Sequence, residues 1–242
     1  MRTQVIFDGH DLTQDYYVSD LQEQLLPRNV GSVKAGGRDG EIYTGVTLAS
    51  RTITMTLTAK GSTPALVQQA GRALAAILAV DEPKPLSISI DGGIYYMAVP
   101  TSPNVGQRWR HAKRHDVEFR ALDPIGYGEQ RTATVPSGGS VTIDVGGTYP
   151  TMPLITAQYA RNGSGGYWRV LKEDGTYVLA KLPSGASGVP IIADCEARTL
   201  KVNGNVALMD PEADWLVLEP GTHTLSMTGT GAATVTWRER WL

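Results

Sequence analysis

The segment from residue 214 to residue 242 constrains the fold more than any other part of the sequence. Between Ala233 and Trp241 the odd positions hold Ala, Val, Trp, Glu and Trp, whereas the even positions hold Thr and Arg. Such an alternation, with a period of two, is typical of a β-strand that buries one face. Pro220-Gly221 and residues 229–231 supply turn residues on either side of a second alternating stretch. We therefore predict three antiparallel strands here, with the C-terminus held in a sheet.

The composition is that of a globular protein rich in strands and turns. The 242 residues are 41% hydrophobic and 19% charged, with 27 glycines and 14 prolines but 2 phenylalanines. The formal net charge of −2 gives no general attraction to nucleic acid or to a membrane surface, so we expect neither partner. No apolar run approaches the roughly 20 residues that span a bilayer, and the N-terminal stretch is too polar for a signal peptide. The single cysteine, Cys195, excludes an intrachain disulfide and is typical of a reducing cytoplasm.

The N-terminal half combines strands with one helix. Threonines alternate with apolar residues from Arg51 to Lys60, which predicts a strand because β-branched side chains favour a pleated surface. From Pro64 to about residue 79 the apolar residues follow spacings of three and four, which predicts an amphipathic helix capped by Ser62 or Thr63. The other predictions for this half are a hairpin at residues 86–99, a loop or hairpin tip at residues 33–43, and either a helical turn or a strand at residues 20–26.

Beyond residue 130 the sequence predicts strands alone. The candidates are residues 141–145, 154–157, 167–171, 177–182, 191–195 and 199–202, with glycine-rich turns between several of them. Short strands at this spacing are typical of a sandwich or a barrel. We therefore predict a mainly β protein with an N-terminal domain at residues 1–130, which contains the helix, and a C-terminal domain at residues 131–242.

Residue types that carry chemistry form no recognisable motif. His111 and His115 lie four residues apart without a third ligand, and their basic surroundings predict a charged loop or an exposed strand. Cys195 alternates with Ala193 as a buried residue does, and the sequence pairs it with no particular histidine. Residues 163–166 lack the Lys-Ser/Thr of a phosphate-binding loop and predict a turn. We therefore expect no catalysis, no cofactor and no metal ion.

Segments spread over nearly the whole chain share their order and spacing with one protein family. In the N-terminal half these are Gly-Arg-Asp-Gly at residues 37–40, the strand at 51–57, the helix from Pro64, residues 83–90 and residues 119–127. In the C-terminal half they are residues 147–155, 194–204, 218–221 and 237–241. In these segments the chain resembles the distal tail protein of long, non-contractile phage tails.

The resemblance implies a fold and a place in a particle. The N-terminal domain would form a six-fold ring, with a galectin-like β-sandwich as the C-terminal domain on the outside. One ring face would dock on the tail tube protein, and the other on a tail-associated lysin, a tail-tip protein or a receptor-binding protein. The protein would assemble in the bacterial cytoplasm and lie at the tip of the virion tail.

Sugar binding is not favoured by the details of this sequence. Trp237-Arg238-Glu239-Arg240 resembles part of the galectin sugar motif, but a His-x-Asn-Pro-Arg element is absent. Strand alternation places Trp237 and Glu239 on the face opposite both arginines. The chain is also too short for the carbohydrate-binding module that some family members carry as an insertion. We therefore expect another baseplate protein to contact the host.

Two charged segments are the candidate contacts between proteins. Residues 33–43 are predicted to project toward an adjacent subunit, and residues 108–115 form the second candidate. The predicted interface residues are Arg38, Asp39, Glu41, Arg108, Arg110 and Arg114. Ring formation would use heterologous surfaces that close by rotation, and unpaired sheet edges are natural sites for it.

Three alternatives remain at this point. The first is a glycan-binding β protein that uses Trp168 or Trp215, although aromatic residues more commonly pack in cores and interfaces. The aromatic residues that could form such a surface are Tyr167, Trp168, Trp215, Trp237 and Trp241. The second is another tail component, such as a tube or tail-tip protein, and the third is an enzyme.

Overall fold

The computed structural model describes residues 3–101, 104–160, 166–182 and 187–242. It confirms the predicted fold class, because strands dominate in these ranges and the one long amphipathic helix they contain lies in the N-terminal half. The chain divides into two compact units, residues 1–127 together with Leu242, and residues 128–241. In the described part of the chain, neither α-helix combines the length and the apolar character that crossing a membrane requires.

The first unit is built on an antiparallel sheet covered by a helix. Its elements are β1 (Val5–Phe7), β2 (His10–Asp11), α1 (Leu12–Asp15), β3 (Tyr16–Glu23), β4 (Arg28–Val33), β5 (Ile42–Leu48), β6 (Arg51–Lys60), α2 (Pro64–Leu78), β7 (Lys84–Ile88), β8 (Tyr95–Pro100), β9 (Asn104–Arg108) and β10 (Ala112–Ala121). Strands β3, β6, β10 and β8 are neighbours in that order, β7 links β8 to β1, and β9 pairs with β10.

Helix α2 forms where the hydrophobic period changes from two to about 3.6. The Thr63 hydroxyl accepts a hydrogen bond from the Leu66 N–H at 3.3 Å, and Pro64 occupies the first turn. Leu74 and Leu78 are buried in the same core cluster as Ile53, Met55 and Leu57 of β6. Burial of this apolar stripe, rather than helix propensity alone, therefore holds α2 on the sheet.

The second unit is a two-layer β-sandwich. Its strands are β11 (Gly126–Val135), β12 (Ser140–Val145), β13 (Leu154–Tyr159), β14 (Gly166–Lys172), β15 (Tyr177–Leu182), β16 (Val189–Asp194), β17 (Thr199–Val202), β18 (Asn205–Ala207), β19 (Gly221–Thr228) and β20 (Ala233–Trp241). One layer has the order β18-β17-β16-β13-β20-β11, and the other has the order β12-β19-β14-β15. Buried side chains from both layers form one cluster that includes Ile155, Trp168, Leu225 and Val235.

Several local expectations need correction or completion. For residues 20–26 the sequence does not distinguish a helical turn from a strand. In the structure β3 extends to Glu23, so the first part of this segment is a strand. The first of the three strands predicted after residue 214 is wrong, because residues 214–218 make one isolated bridge, between Leu218 and Thr151. The turn predicted at residues 163–166 and the glycine-rich turn at residues 184–188, between the strands predicted at 177–182 and 191–195, lie largely outside the described residues.

The buried face of β20 changes near its end. Residues 233, 235 and 237 are buried as predicted, but after Trp237 the buried residue is Arg240. The N–H groups of Thr148 and Tyr149 donate to the Arg240 carbonyl oxygen at 2.9 and 3.1 Å, so a long-range contact covers this end of the strand. Gly147 is required there because a Cβ would lie 2.2 Å from that oxygen, and its φ is +101°.

Candidate assembly surfaces

Strands β4 and β5 form a hairpin, residues 28–48, that we call the arm. They pair with each other from Arg28–Leu48 to Val33–Ile42 and with no further strand among the described residues. Their side chains are exposed or half-buried along both strands. A two-stranded hairpin is at best marginally stable in water by itself. The arm therefore lacks, within these residues, the packing that normally stabilises a sheet.

One face of the arm, which we call its apolar face, carries three exposed apolar side chains beside Arg28 and Ser32. Val30 lies directly opposite Val46, and the two residues are 66% and 43% exposed. Tyr43 pairs with Ser32 and belongs to the same face, since a bulge absorbs Thr44, and it is 64% exposed. Contiguous exposed apolar side chains of this kind mark surfaces that bind another molecule.

The base of the arm is fixed to the first unit by Arg51. This side chain is 2% exposed, and its guanidinium donates to the Glu23 carboxylate at 2.5 Å and to the Gln24 carbonyl oxygen at 2.9 Å. Its Nε donates to the Pro124 carbonyl oxygen at 3.0 Å. Because a buried guanidinium requires its partners, these bonds hold the chain on both sides of the arm in one arrangement.

The tip of the arm carries the first three predicted interface residues. Arg38, Asp39 and Glu41 are all exposed in the connection between β4 and β5. The Ser32 hydroxyl donates a hydrogen bond to the Glu41 carboxylate. The structure thus brings these three residues to one loop, and their contact with another subunit stays a prediction.

The other three predicted residues lie at the β9–β10 turn, but they are not equivalent. Arg108 and Arg110 are exposed, and neither forms a salt bridge with another residue that the structure describes. The Arg114 guanidinium instead donates to the Asp116 carboxylate at 2.8 Å and to the Thr56 hydroxyl at 3.0 Å. The hydrogen bond from Arg114 and a second one, donated by the Thr56 hydroxyl to Asp116 at 2.9 Å, lower the pKa of Asp116 below its usual value. Arg114 is therefore engaged within its own unit.

A groove runs between this turn and the start of α2. Its lining residues are Pro64, Val67, Gln68, Arg108, Trp109 and Arg110, and its cavity volume is about 280 Å³. Trp109 is 51% exposed at the turn, where its backbone N–H donates to the Ala112 carbonyl oxygen at 2.9 Å. An exposed tryptophan between two arginines has the composition of a protein interface.

The histidines do not form a metal centre. His115 is buried and faces α2, where a Cβ on Gly71 would lie 3.4 Å from its Nε2. Burial and the nearby Lys113 lower the pKa of His115. His111 is exposed, and no group of three metal-binding side chains occurs in the described ranges. The expectation of a charged loop or an exposed strand therefore fails at His115, which takes an inward position on β10.

The aromatic residues of the second unit do not form a sugar-binding surface as a group. Trp168 is fully buried and Trp237 is nearly so, while Trp215 packs against the sandwich core. The hypothesis that Trp168 contacts a glycan is therefore wrong, because the ring has no face open to solvent. Cys195 is also fully buried, as its alternation predicted, and burial raises the pKa of its thiol to about 12.

The sequence signal for the arm was partly missed. The charged connection at residues 33–43 was identified, but the apolar face formed by Val30, Tyr43 and Val46 was not. The available signal was two short β-branched runs on either side of a glycine-rich connection, which is typical of a hairpin.

Comparison with known proteins agrees with this architecture. Residues 11–120 match the family model for the phage tail protein RIFT-related domain, and residues 146–241 match the model for the C-terminal domain of siphovirus-type tail components. The fold and these matches define a structural component of a phage tail. More specifically, the chain belongs to the siphophage distal tail protein family.

One solved structure shows the same fold at low sequence identity. The crystal structure of the SPP1 Dit protein, described as a paradigm of the hub adsorption apparatus in phages that infect Gram-positive bacteria, matches with a TM-score of 0.81 and 19% identity over 99% of both chains. A chain of the phage P2 baseplate, in its activated conformation with Ca, gives a TM-score of 0.48 and 11% identity over 99% of this chain and 98% of that one. None of the curated protein sequences compared with the chain matches it significantly.

Proposed function

We propose that this chain is the structural hub of a phage tail tip and that copies of it close into a ring. The family membership supports a tail role, and the arm is the observation that carries the ring. A hairpin that has an exposed apolar face, and that pairs with no further strand among the described residues, has a natural partner in a neighbouring copy. By this proposal the ring is a homo-hexamer, as the family resemblance implies.

The sheet of the first unit offers a place for such an arm. Strand β3 ends the order β8-β10-β6-β3, so its outer edge faces no further strand among the described residues. An unpaired edge can accept a strand from another chain through main-chain hydrogen bonds. A contact of the arm of one copy with the β3 edge of the next is heterologous, and a heterologous contact generates a ring when its rotation closes.

In the proposed assembly the two domains have different roles. Residues 1–130 form the ring, and residues 131–242 form the outer sandwich. One ring face binds the tail tube protein, and the other binds a tail-tip protein, a tail-associated lysin or a receptor-binding protein. The hub lies at the virion tail tip and contributes structure rather than catalysis.

The experiment that tests the ring contact removes the arm tip. Residues 34–41 are replaced by a two-residue Asn-Gly turn, which preserves β4 and β5 because Asn-Gly favours a tight hairpin. Light scattering and negative-stain electron microscopy then compare the variant with the unmodified protein at matched concentrations, with circular dichroism as the check on folding. Loss of rings from a folded variant supports the proposal, whereas intact rings exclude the tip as the contact.

Glycan binding is the alternative function, and it has lost its main support. Trp168 is inaccessible, and Trp215 is partly covered by the sandwich core. A glycan array probed with the purified protein tests whether Trp215 binds a glycan. Micromolar binding that Trp215→Ala abolishes would support this alternative.

A further inference from the structure

Charge is distributed unevenly around the two ends of α2. Neither residues 60–80 nor residues 104–115 contain an aspartate or a glutamate. The basic end, as we call it, comprises Arg108 and Arg110, which line the groove beside the first turn of the helix. Lys60 and Lys113 lie outside this cluster, since Lys60 pairs with Ala112 and Lys113 with Ala59, which directs the two side chains to opposite faces of the sheet.

The opposite end of α2 is acidic. Asp81 and Glu82 follow the helix directly and are exposed. The Asp8 N–H donates to the Pro85 carbonyl oxygen at 3.0 Å, which brings a third carboxylate to the same end. Lys84 pairs with Glu82 at 2.6 Å but leaves this acidic end net negative. The 15 residues of α2 separate the two ends by about 22 Å, at 1.5 Å per residue.

This polarity does not stabilise the helix. The N-terminus of a helix carries partial positive charge and favours acidic side chains, while its C-terminus favours basic ones. Around α2 the arrangement is reversed, and neither an acidic residue in the first turn nor a basic residue in the last turn compensates for it. The charges therefore require another explanation than the stability of the unit that carries them.

The basic end also has the shape and composition of a binding surface. Its groove contains Trp109, which is half-exposed, against Pro64 and Val67 of the helix. Tryptophan and arginine are the residues most enriched among those that dominate interface energies. The groove thus offers an apolar anchor within a field that attracts a negatively charged surface.

We infer that the basic end of one copy binds the acidic end of a second copy of this chain. The inference rests on the proposed ring and names a second contact within it. A heterologous ring contact requires two different, complementary surfaces on the same chain, and the two ends of α2 meet this requirement by charge. Because every copy carries both ends, the contact repeats from one copy to the next around the ring.

Charge reversal tests this head-to-tail contact. One variant, Arg108→Glu with Arg110→Glu, makes both ends acidic, and another, Asp81→Lys with Glu82→Lys, makes both ends basic. Arg198→Glu with Lys201→Glu reverses two exposed basic residues of the second unit and serves as the matched control. Native mass spectrometry and light scattering, at low and high salt, give the concentration at which half of each protein is assembled.

The inference predicts that each end variant alone needs at least a tenfold higher concentration for assembly, while the control variant assembles like the unmodified protein. An equimolar mixture of the two end variants is expected to form rings with equal numbers of each. Only a ring in which the two variants alternate places opposite charges at every contact. High salt should weaken the assembly of this mixed ring, because it screens the charges.

Different outcomes overturn different claims. If both end variants form rings like the unmodified protein, or if their mixture does not restore assembly, the head-to-tail contact is wrong and the hub proposal stands. The basic end would then be assigned to an acidic surface of another tail protein. If the unmodified protein itself forms no oligomer at any concentration, the ring proposal and the head-to-tail contact both fail.

Discussion

The apolar face of the arm gives the sharpest quantitative prediction for assembly. Val30→Thr combined with Val46→Thr replaces two directly opposed valines with threonines. Threonine is β-branched like valine, so the strands should retain their local conformation. The change places two hydroxyl groups where, by our proposal, the neighbouring copy packs.

The magnitude follows from the exposed area that a neighbour can cover. Val30 and Val46 are 66% and 43% exposed, which together is equivalent to about one fully exposed valine side chain. Burial of one such side chain contributes about 1.5–3 kcal/mol. Threonine keeps one of the two methyl groups of valine, so about half of that contribution, roughly 0.8–1.5 kcal/mol, is lost. This should raise the concentration for half-assembly roughly 4- to 12-fold, since 1.4 kcal/mol corresponds to a factor of ten. The melting temperature of the monomer should hardly change, because substitutions at exposed sites usually have small effects.

The assay is light scattering over a dilution series, with thermal unfolding measured in parallel. Val206→Thr is the matched control, because Val206 is 76% exposed on β18 of the second unit. An unchanged assembly midpoint for the arm variant would refute the reasoning. An equal shift for the Val206→Thr control would refute it too, since the effect would then not depend on the arm.

Three further predictions concern the second unit. Trp168→Ala should destabilise the protein by about 3–5 kcal/mol, seen as a large drop in melting temperature, because the fully buried ring leaves a cavity; an unchanged melting temperature would contradict the assigned core. The hydrogen bond from Lys172 lowers the pKa of Asp174 to about 2, so the stability that this carboxylate provides is present above its ordinary value of 3.8 and is lost as the pH falls toward 2. In Asp174→Asn the denaturant concentration at the unfolding midpoint should therefore depend less on pH over this range. The same pH dependence in the variant and the unmodified protein would count against the Lys172–Asp174 ion pair. Burial raises the pKa of the Cys195 thiol to about 12, so a thiol reagent should label it after unfolding and not before, and rapid labelling of the native protein would show that the site opens.

Local periodicity determined the parts of this fold that the sequence predicted well. The alternation from Arg51 to Lys60 corresponds to β6 over its full length, because every second residue faces the core. The spacing that begins at Pro64 corresponds to α2, since proline and the Thr63 cap define its start and buried leucines define one face. In both elements the apolar residues that produce the periodicity are also the residues that form the core, so the sequence pattern alone predicts the element.

The prediction failed where distant parts of the chain decide the outcome. Arg240 is buried because the backbone at Gly147 and Tyr149 pairs with it, and no local pattern reports a contact over that separation. The apolar face of the arm was missed for a related reason. Hydrophobic periodicity indicates which residues avoid water. It does not distinguish a face that is buried within its own chain from a face that binds a second chain. Val30 and Val46 belong to the second kind in our account.

The measurement that tests the central claim most directly is negative-stain electron microscopy of the purified chain, with its solution mass from light scattering. The account predicts six-fold rings with a central channel and a mass of about 156 kDa, six times the 26.0 kDa of one chain. A single 26.0 kDa species at every protein and salt concentration, with no rings on the grid, would contradict it.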